Sequence, residues 1–139
     1  MSSPPEEEIR RTLARYCMFV DDGRFDEFVN LFRAEARFHV LGTTHQGHDE
    51  LLSFMSGAQG NPETRGKHVA INSLIELDSW NGKATCWTDY IFVGGSNTIT
   101  SAGRYHDELV RDGDKVWRFD LREIVFVGDE PQLTQPPPG

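Results

Sequence analysis

The stretch RYCMFVDDGRFDEFVNLF, residues 15–32, decides the fold. Its first half continues a helical stripe in which apolar residues recur every three or four positions. The members of this stripe are Ile9, Leu13, Tyr16, Cys17 and Val20. The turn sequence DDG ends the helix, and the aromatic residues after it predict a second short amphipathic helix. We therefore predict two consecutive helices with Asp21 at the end of the first.

The rest of the chain is mostly strand-like. Residues 36–42 indicate a strand, and residues 48–55 predict a third helix. Four further strand patterns, separated by the turn sequences SWNGK, GGSN and RDGD, cover residues 68–77, 84–93, 98–110 and 116–127. Helices followed by a meander predict a single α+β domain, a cone in which N-terminal helices pack on a strongly curved antiparallel sheet. Residues 7–127 form its predicted core, and the proline-rich residues 128–139 a loose tail.

Composition excludes several classes of partner. The 139 residues carry 14 Lys and Arg against 22 Asp and Glu, which gives a net charge of -8. Such a chain repels phosphate backbones and anionic lipids, so we predict no nucleic-acid or membrane partner. The first residues lack the pattern of a signal peptide, and no window approaches the roughly 20 apolar residues of a membrane span. We expect a cytoplasmic protein whose two cysteines, Cys17 and Cys86, are buried free thiols.

Two residues are candidates for acid–base chemistry. Asp21 follows the apolar run YCMFV, so partial desolvation would raise its affinity for protons if the helix end faces the interior. The alternative is that Asp21 only ends the helix, a common role for Asp beside Gly. His68 begins a strand, and histidine is the side chain that titrates nearest neutral pH. Its alternative role is that of a structural histidine.

Three polar residues lie within otherwise strand-like segments. Alternation places Arg104 and His106 on one face of their strand, where they either line the cavity or face water. Arg122 occupies an apolar strand and needs a carboxylate partner or a ligand anion. We predict a structural salt bridge for Arg122.

The histidines of the first half suggest a metal site only superficially. His39, His45 and His48 are spread over a predicted strand, a loop and a helix start, so their side chains do not converge in any obvious way. Sequence patterns of a phosphate cradle or a nucleophile elbow are absent. We predict neither a metal nor a cofactor.

Taken together, Tyr16 and the segments VDDGRFDEFVNLF, GKHVAIN and GRYHDELVRDGDKVWRF resemble SnoaL-like members of the nuclear transport factor superfamily, over roughly residues 7–127. In the similar bile acid 7α-dehydratases a tyrosine precedes the catalytic aspartate by five positions, as Tyr16 precedes Asp21. His68 falls where those enzymes, scytalone dehydratase and hexachlorocyclohexane dehydrochlorinase carry a catalytic histidine. The resemblance implies a cystatin-like cone, an Asp21–His68 dyad, and Tyr16 as a hydroxyl donor.

The resemblance also implies a function. We predict a cofactor-independent lyase of the dehydratase type that acts on a small hydrophobic ring compound. An isomerase or cyclase could use the same dyad, and the fold also hosts non-catalytic ligand-binding and oxygenase-subunit-like modules. Relatives are often homodimers or homotrimers, which we expect here. The predicted substrate contacts are His106, Arg104, Phe19, Trp87 and Phe92.

Overall fold

The computed structural model describes residues 3–139 and confirms the α+β architecture. Its helices are α1 (Pro5–Asp21), α2 (Phe25–Val29) and α3 (Gly47–Gln59). Its strands are β1 (Phe32–Val40), β2 (Thr43–Gln46), β3 (Lys67–Asp78), β4 (Lys83–Val93), β5 (Ile99–Arg111) and β6 (Trp117–Phe126). Two 3-10 turns, Pro62–Thr64 and Ser79–Asn81, flank β3. The short strand β2 was not predicted.

All six strands form one sheet in the order β2-β1-β6-β5-β4-β3. Neighbouring strands are antiparallel, as predicted, except that β1 runs parallel to β6. This parallel pair joins the first strand of the chain to the last, and no local sequence signal reports such a distant partner. We call the sheet face that the helices cover the inner face and the opposite face the outer face.

The apolar stripe of α1 packs on the inner face. Its five predicted members are all buried, and Ile9 and Val20 have no exposed surface. The Tyr16 ring lies at the centre of this packing, 5.5 Å from the Phe28 ring and 5.6 Å from the Tyr105 ring between centroids. Burial of one such large side chain stabilises the fold by about 1.5–3 kcal/mol. The stripe therefore fixes the rotation of α1 and the position of its last residue, Asp21.

A bulge in β3 decides which side chains of that strand face inward. The pairing with β4 shifts between Ile71 and Ser73, and the residue between them, Asn72, has a φ of 55°. The extra residue reverses the alternation, because side chains two apart share a face only in an unbroken strand. As a result, even-numbered residues such as His68 face inward before the bulge, and odd-numbered residues such as Ile75 face inward after it.

The segment after β6 forms no helix or strand, and hydrogen bonds attach part of it to the sheet. The amides of Gln132, Leu133 and Thr134 all donate to the Glu123 carboxylate, at 2.8, 3.0 and 3.1 Å. The Gln132 side chain also contacts His39 Nε2 at 2.7 Å. The composition of the tail is typical of a mobile segment, but buried polar groups on the outer face supply partners for its backbone.

Other expectations can be compared directly. Both cysteines are buried and free, as predicted. Arg122 forms the predicted salt bridge, with Nε and Nη2 bound to Asp107 at 2.7 and 2.8 Å. Within residues 3–139 no helix is both long enough and apolar enough to cross a bilayer.

Candidate active site

Asp21 and His68 meet where the end of α1 lies against the start of β3. His68 Nδ1 lies 2.6 Å from Asp21 Oδ1, and the His68 amide donates to both carboxylate oxygens at 3.2 and 3.0 Å. A carboxylate at a helix C-terminus is disfavoured by the helix dipole. The amide and the ring Nδ1 of His68 compensate for this unfavourable interaction with the dipole, and they hold the carboxylate in one orientation.

This contact defines the tautomer of neutral His68. An ionised carboxylate can only accept, so Nδ1 carries the hydrogen and Nε2 keeps a free lone pair. Within residues 3–139 nothing forms a hydrogen bond with Nε2. The His68 ring also packs on Phe92, with 4.7 Å between centroids. Only 13% of the His68 side chain and 6% of the Asp21 side chain are exposed, so the pair is largely shielded from water.

Arg65 holds the two chain segments of the dyad together. Its guanidinium lies against Gly23, two residues after Asp21. Gly23 has a φ of +71°, and a Cβ at this position would lie 2.5 Å from Arg65 Nη1. Arg65 Nε also donates to the Gln59 carbonyl at 2.8 Å. The loop before β3 is therefore clamped between the end of α3 and the turn after α1. The positive φ at position 23 favours glycine, which adopts this backbone conformation without strain.

A cavity of about 190 Å³ lies inside the cone next to His68. Most of its wall is apolar. Its aromatic lining residues are Tyr16, Phe38, Phe54, Tyr90, Phe92, Tyr105 and Phe126. The chain has three tyrosines and all of them line this cavity. An apolar wall with a few convergent polar groups is the usual composition of a small-molecule site.

A second hollow borders the dyad from outside. This groove of about 580 Å³ lies between α1 and β3 and contains no aromatic side chain. Met18 on its rim is 62% exposed. The inner cavity is the smaller of the two, but it alone combines aromatic side chains and hydroxyl groups with His68. We therefore take the inner cavity as the candidate ligand site.

Tyr16 is suited to donate a hydrogen bond into the cavity. Burial raises its pKa far above the ordinary 10.0, and the nearby charge of Arg122 offsets this only partly. The phenol therefore keeps its proton throughout the ordinary pH range. Within residues 3–139 no acceptor binds the Tyr16 hydroxyl, so it is available to a ligand oxygen.

The structure does not bring three of the predicted substrate contacts to this cavity. Trp87, Arg104 and His106 lie on the outer face, because their strand neighbours Tyr90 and Tyr105 face inward. Trp87 Nε1 donates to the Gln135 carbonyl at 2.9 Å, and Arg104 pairs with Asp89 at 2.6 Å. His106 Nδ1 contacts Thr134 Oγ1 at 2.9 Å. The expectation that these residues share a pocket with His68 is corrected accordingly.

The remaining two predicted contacts differ from each other. Phe92 lines the cavity beside His68. Phe19 does not: its ring lies under the Arg24 guanidinium, 4.5 Å from the centroid. Sequence patterns also missed Tyr90 and Tyr105. Alternation along β4 from Phe92 would have placed Tyr90 on the same face, and alternation along β5 places Tyr105 opposite Arg104 and His106.

The histidines of the first half have separate partners. His39 Nδ1 lies 2.7 Å from Thr44 Oγ1, and the His45 ring packs on Phe54 with 4.4 Å between centroids. His48 Nε2 donates to the Phe32 carbonyl at 2.8 Å. Across residues 3–139 no three His, Cys, Asp or Glu side chains are grouped so that they could hold a metal ion.

Comparison with known proteins agrees with this architecture. The family model described as SnoaL-like domain matches residues 2–123. The chain belongs to the SnoaL-like domain family. No curated protein matches it.

Several solved structures share the fold of this SnoaL-like domain. A Nostoc punctiforme protein of unknown function with a cystatin-like fold is 18% identical, with a TM-score of 0.81 over 94% of this chain and 98% of the other. A proposed scytalone dehydratase of Novosphingobium aromaticivorans is 18% identical, with a TM-score of 0.76 over 94% and 89%. A Catenulispora acidiphila protein solved in complex with S-DNPA is 20% identical, with a TM-score of 0.70 over 86% and 92%. At these identities the likeness shows the fold alone.

Proposed function

We propose that this SnoaL-like domain is a cofactor-independent lyase that eliminates water from a small hydrophobic ring compound. One observation carries the proposal: the 2.6 Å contact between Asp21 and His68 leaves the free Nε2 of a nearly buried imidazole beside an aromatic cavity. A fold neighbour named as a proposed scytalone dehydratase is consistent with this chemistry. Asp21, His68 and Tyr16 are its proposed catalytic residues.

The reaction begins with proton transfer from carbon. His68 Nε2 takes a proton from the carbon beside a ring carbonyl, and the electron pair of that bond forms the enolate. Asp21 stabilises the resulting imidazolium through Nδ1, without itself taking the proton. The Tyr16 hydroxyl donates a hydrogen bond to the carbonyl oxygen, on which negative charge develops.

The reaction ends with loss of the hydroxyl group. The enolate electrons form the carbon–carbon double bond as the bond to the hydroxyl on the next carbon breaks. Because the raised pKa of Tyr16 makes it a poor proton source, His68 returns its proton to the departing hydroxide. The products are a conjugated ring ketone and one water molecule, and His68 is again neutral.

Two other functions are compatible with parts of this site. An isomerase or cyclase would form the same enolate but return the proton to another carbon, or use the enolate to form a new bond. A ligand-binding module would use the aromatic wall and leave its ligand unchanged. Product analysis separates these three outcomes, because only elimination lowers the mass of the compound by one water.

Assembly and location are further proposals. Val69, Ile71 and Leu74 lie on the outer face of β3 and are 38%, 44% and 44% exposed. Three neighbouring apolar side chains on one strand favour burial against a second copy of the chain, in line with the expected homodimer or homotrimer. A cytoplasmic location stays a prediction of the sequence.

The proposal can be tested with a panel of one-ring and two-ring β-hydroxy ketones. Elimination is followed by the ultraviolet absorbance of the conjugated product and by mass spectrometry. We expect His68→Gln to lower the rate about 10²- to 10⁴-fold, the usual contribution of a positioned general base. Asp21→Asn is expected to reduce the rate comparably, because it removes the charge that stabilises the imidazolium and introduces an NH2 donor that can face His68 Nδ1 and favour the wrong tautomer.

Asp89→Asn is the matched control, since it makes the same change in a salt bridge on the outer face. Its rate should equal that of the unmodified protein. Elimination that survives in both dyad variants would contradict the assignment. Binding of the panel without any turnover would favour the binding module.

A further inference from the structure

A buried ion pair lies directly behind the cavity. Arg122 and Asp107 are each 1% exposed. The Arg122 guanidinium carbon lies 4.1 Å from the centroid of the Tyr16 ring, 3.9 Å from that of Tyr105 and 4.4 Å from that of Phe119. Its Nη1 is buried and has no hydrogen-bond partner among residues 3–139. The cation is therefore enclosed by aromatic rings on several sides and by a carboxylate on another.

Fold stability does not account for this arrangement. Apolar residues of similar volume often stabilise a core as well as, or better than, a buried ion pair, because removing two charges from water is costly. The position of the pair is more informative. Two of the three rings that Arg122 contacts belong to tyrosines that line the cavity beside His68. An arginine in this position places a positive charge behind two hydroxyl donors.

The charges of the pair do not cancel at these hydroxyls. At Tyr16, Arg122 lowers the pKa more strongly than Asp107 raises it. The pair therefore acts as a dipole whose positive end faces the phenols. In a region from which water is excluded, such a dipole acts over several ångströms with little screening.

We propose that Arg122 is a positioning residue that polarises Tyr16 and Tyr105, so that the cavity prefers the oxyanion form of its ligand, a phenolate or enolate, over the neutral form. This inference rests on the proposed function and extends it to the ligand class. The cavity of about 190 Å³ favours one ring or two compact rings, since a closed cavity of about 150 Å³ already accommodates benzene. The ligand class is thus a small phenol or an enolisable ring ketone.

The test uses 4-nitrophenol, whose phenolate absorbs visible light. The probe is titrated between pH 5 and 9 with and without excess protein, and its pKa in the bound state is compared with that in water. We expect the unmodified protein to lower this pKa and to bind the phenolate about tenfold more tightly than the neutral phenol. An apolar cavity without polarised donors would raise it instead.

Two variants separate polarisation from a structural role. The double variant Arg122→Met with Asp107→Leu replaces the ion pair with apolar side chains, a change that folds tend to tolerate. It should abolish the preference for phenolate. Asp107→Asn keeps the Arg122 cation but removes the negative charge beside it. This variant should strengthen the preference for phenolate, although at a cost in stability. Opposite shifts in the two variants are not expected from a merely structural pair, and the double variant alone is sufficient if Asp107→Asn does not fold.

Two controls locate the effect. Arg104→Met with Asp89→Leu removes an ion pair from the outer face and should leave the preference unchanged. Ala58→Phe narrows the cavity at α3 and should weaken binding of both probe forms, because Ala58 lines the cavity. If the probe binds there but its pKa does not respond to the Arg122 variant, the inference about Arg122 is wrong. If neither probe form binds in the cavity, the proposed function fails together with it.

Discussion

At the residue scale, the arrangement of Asp21 explains why a helix ends in a carboxylate. The C-terminal end of a helix disfavours negative charge, so an aspartate there needs donors from elsewhere. His68 supplies them from its amide and its ring. The same contacts orient the imidazole, as the proposed role of His68 as a catalytic base requires.

Tyr16→Phe tests the hydroxyl donor at the same scale. Loss of one donor to a developing oxyanion is expected to lower the elimination rate about 10²- to 10³-fold. The melting temperature should change little, because the ring packing is kept and the hydroxyl has no acceptor within residues 3–139. Rates and thermal unfolding measured on the same samples check both expectations. A variant with full activity would remove Tyr16 from the mechanism.

At the element scale, the elements that could be predicted from sequence are those with a local periodic signal. The stripe of α1 and the alternation of β4 each repeat within a few residues, so their existence and inner faces can be read from the chain. The bulge at Asn72, the parallel pair of β1 and β6, and the attachment of the tail depend on contacts between distant residues. The same limit applies to the site. The spacing of Tyr16 and Asp21 indicated two residues of the candidate site, but the sequence did not show which face of the sheet His106 occupies.

The attachment of the tail provides a prediction at this scale. Burial raises the pKa of Glu123, but the Thr134 hydroxyl and the amides of residues 132–134 outweigh this and lower it. Glu123→Gln removes the charge from these hydrogen bonds and should lower the free energy of unfolding by about 1.5–3 kcal/mol. It should also speed deuterium uptake by residues 132–135. Chemical denaturation and hydrogen exchange followed by mass spectrometry measure the two effects.

The tail contacts should also depend on pH. Because the folded state lowers the pKa of Glu123, its contribution is present above the unfolded value of 4.5 and is lost as the pH falls through the folded value. Deuterium uptake by the tail should therefore rise in acid once it is corrected for intrinsic exchange. Glu130→Gln, at an exposed position, is the control and should behave like the unmodified protein. Equal uptake in both variants would contradict the role of Glu123.

At the scale of the whole molecule, the hydrophobic core contains weak acids that stay protonated. Burial raises the pKa of the Cys17 thiol to about 11, and it raises the pKa values of Cys86, Tyr16 and Tyr105 well above their ordinary values. The unfolded chain loses these protons at lower pH than the folded chain does. These four groups therefore make the folded state more stable at neutral pH than at alkaline pH.

Alkaline stability follows from this difference. A group whose folded-state pKa is raised contributes stability that is present below its unfolded pKa and lost as the pH rises above it. We expect the free energy of unfolding to fall from about pH 9, where the cysteines titrate in the unfolded chain, and more steeply above 10, where the tyrosines do. Each such group contributes a slope of about 1.4 kcal/mol per pH unit. Urea denaturation between pH 8 and 11 measures the slope, and Cys17→Ala with Cys86→Ala should remove its first part.

The most direct test of the central claim is the exchange of carbon-bound hydrogen in deuterium oxide. With 2-tetralone, a two-ring ketone, proton NMR follows loss of the signals beside the carbonyl, which requires only the base and no leaving group. We predict that the unmodified protein and Asp89→Asn accelerate exchange about 10²-fold or more over buffer, and that Asp21→Asn and His68→Gln lose most of that acceleration. Exchange no faster than in buffer, or equal in the dyad variants and the unmodified protein, would contradict a catalytic base at His68.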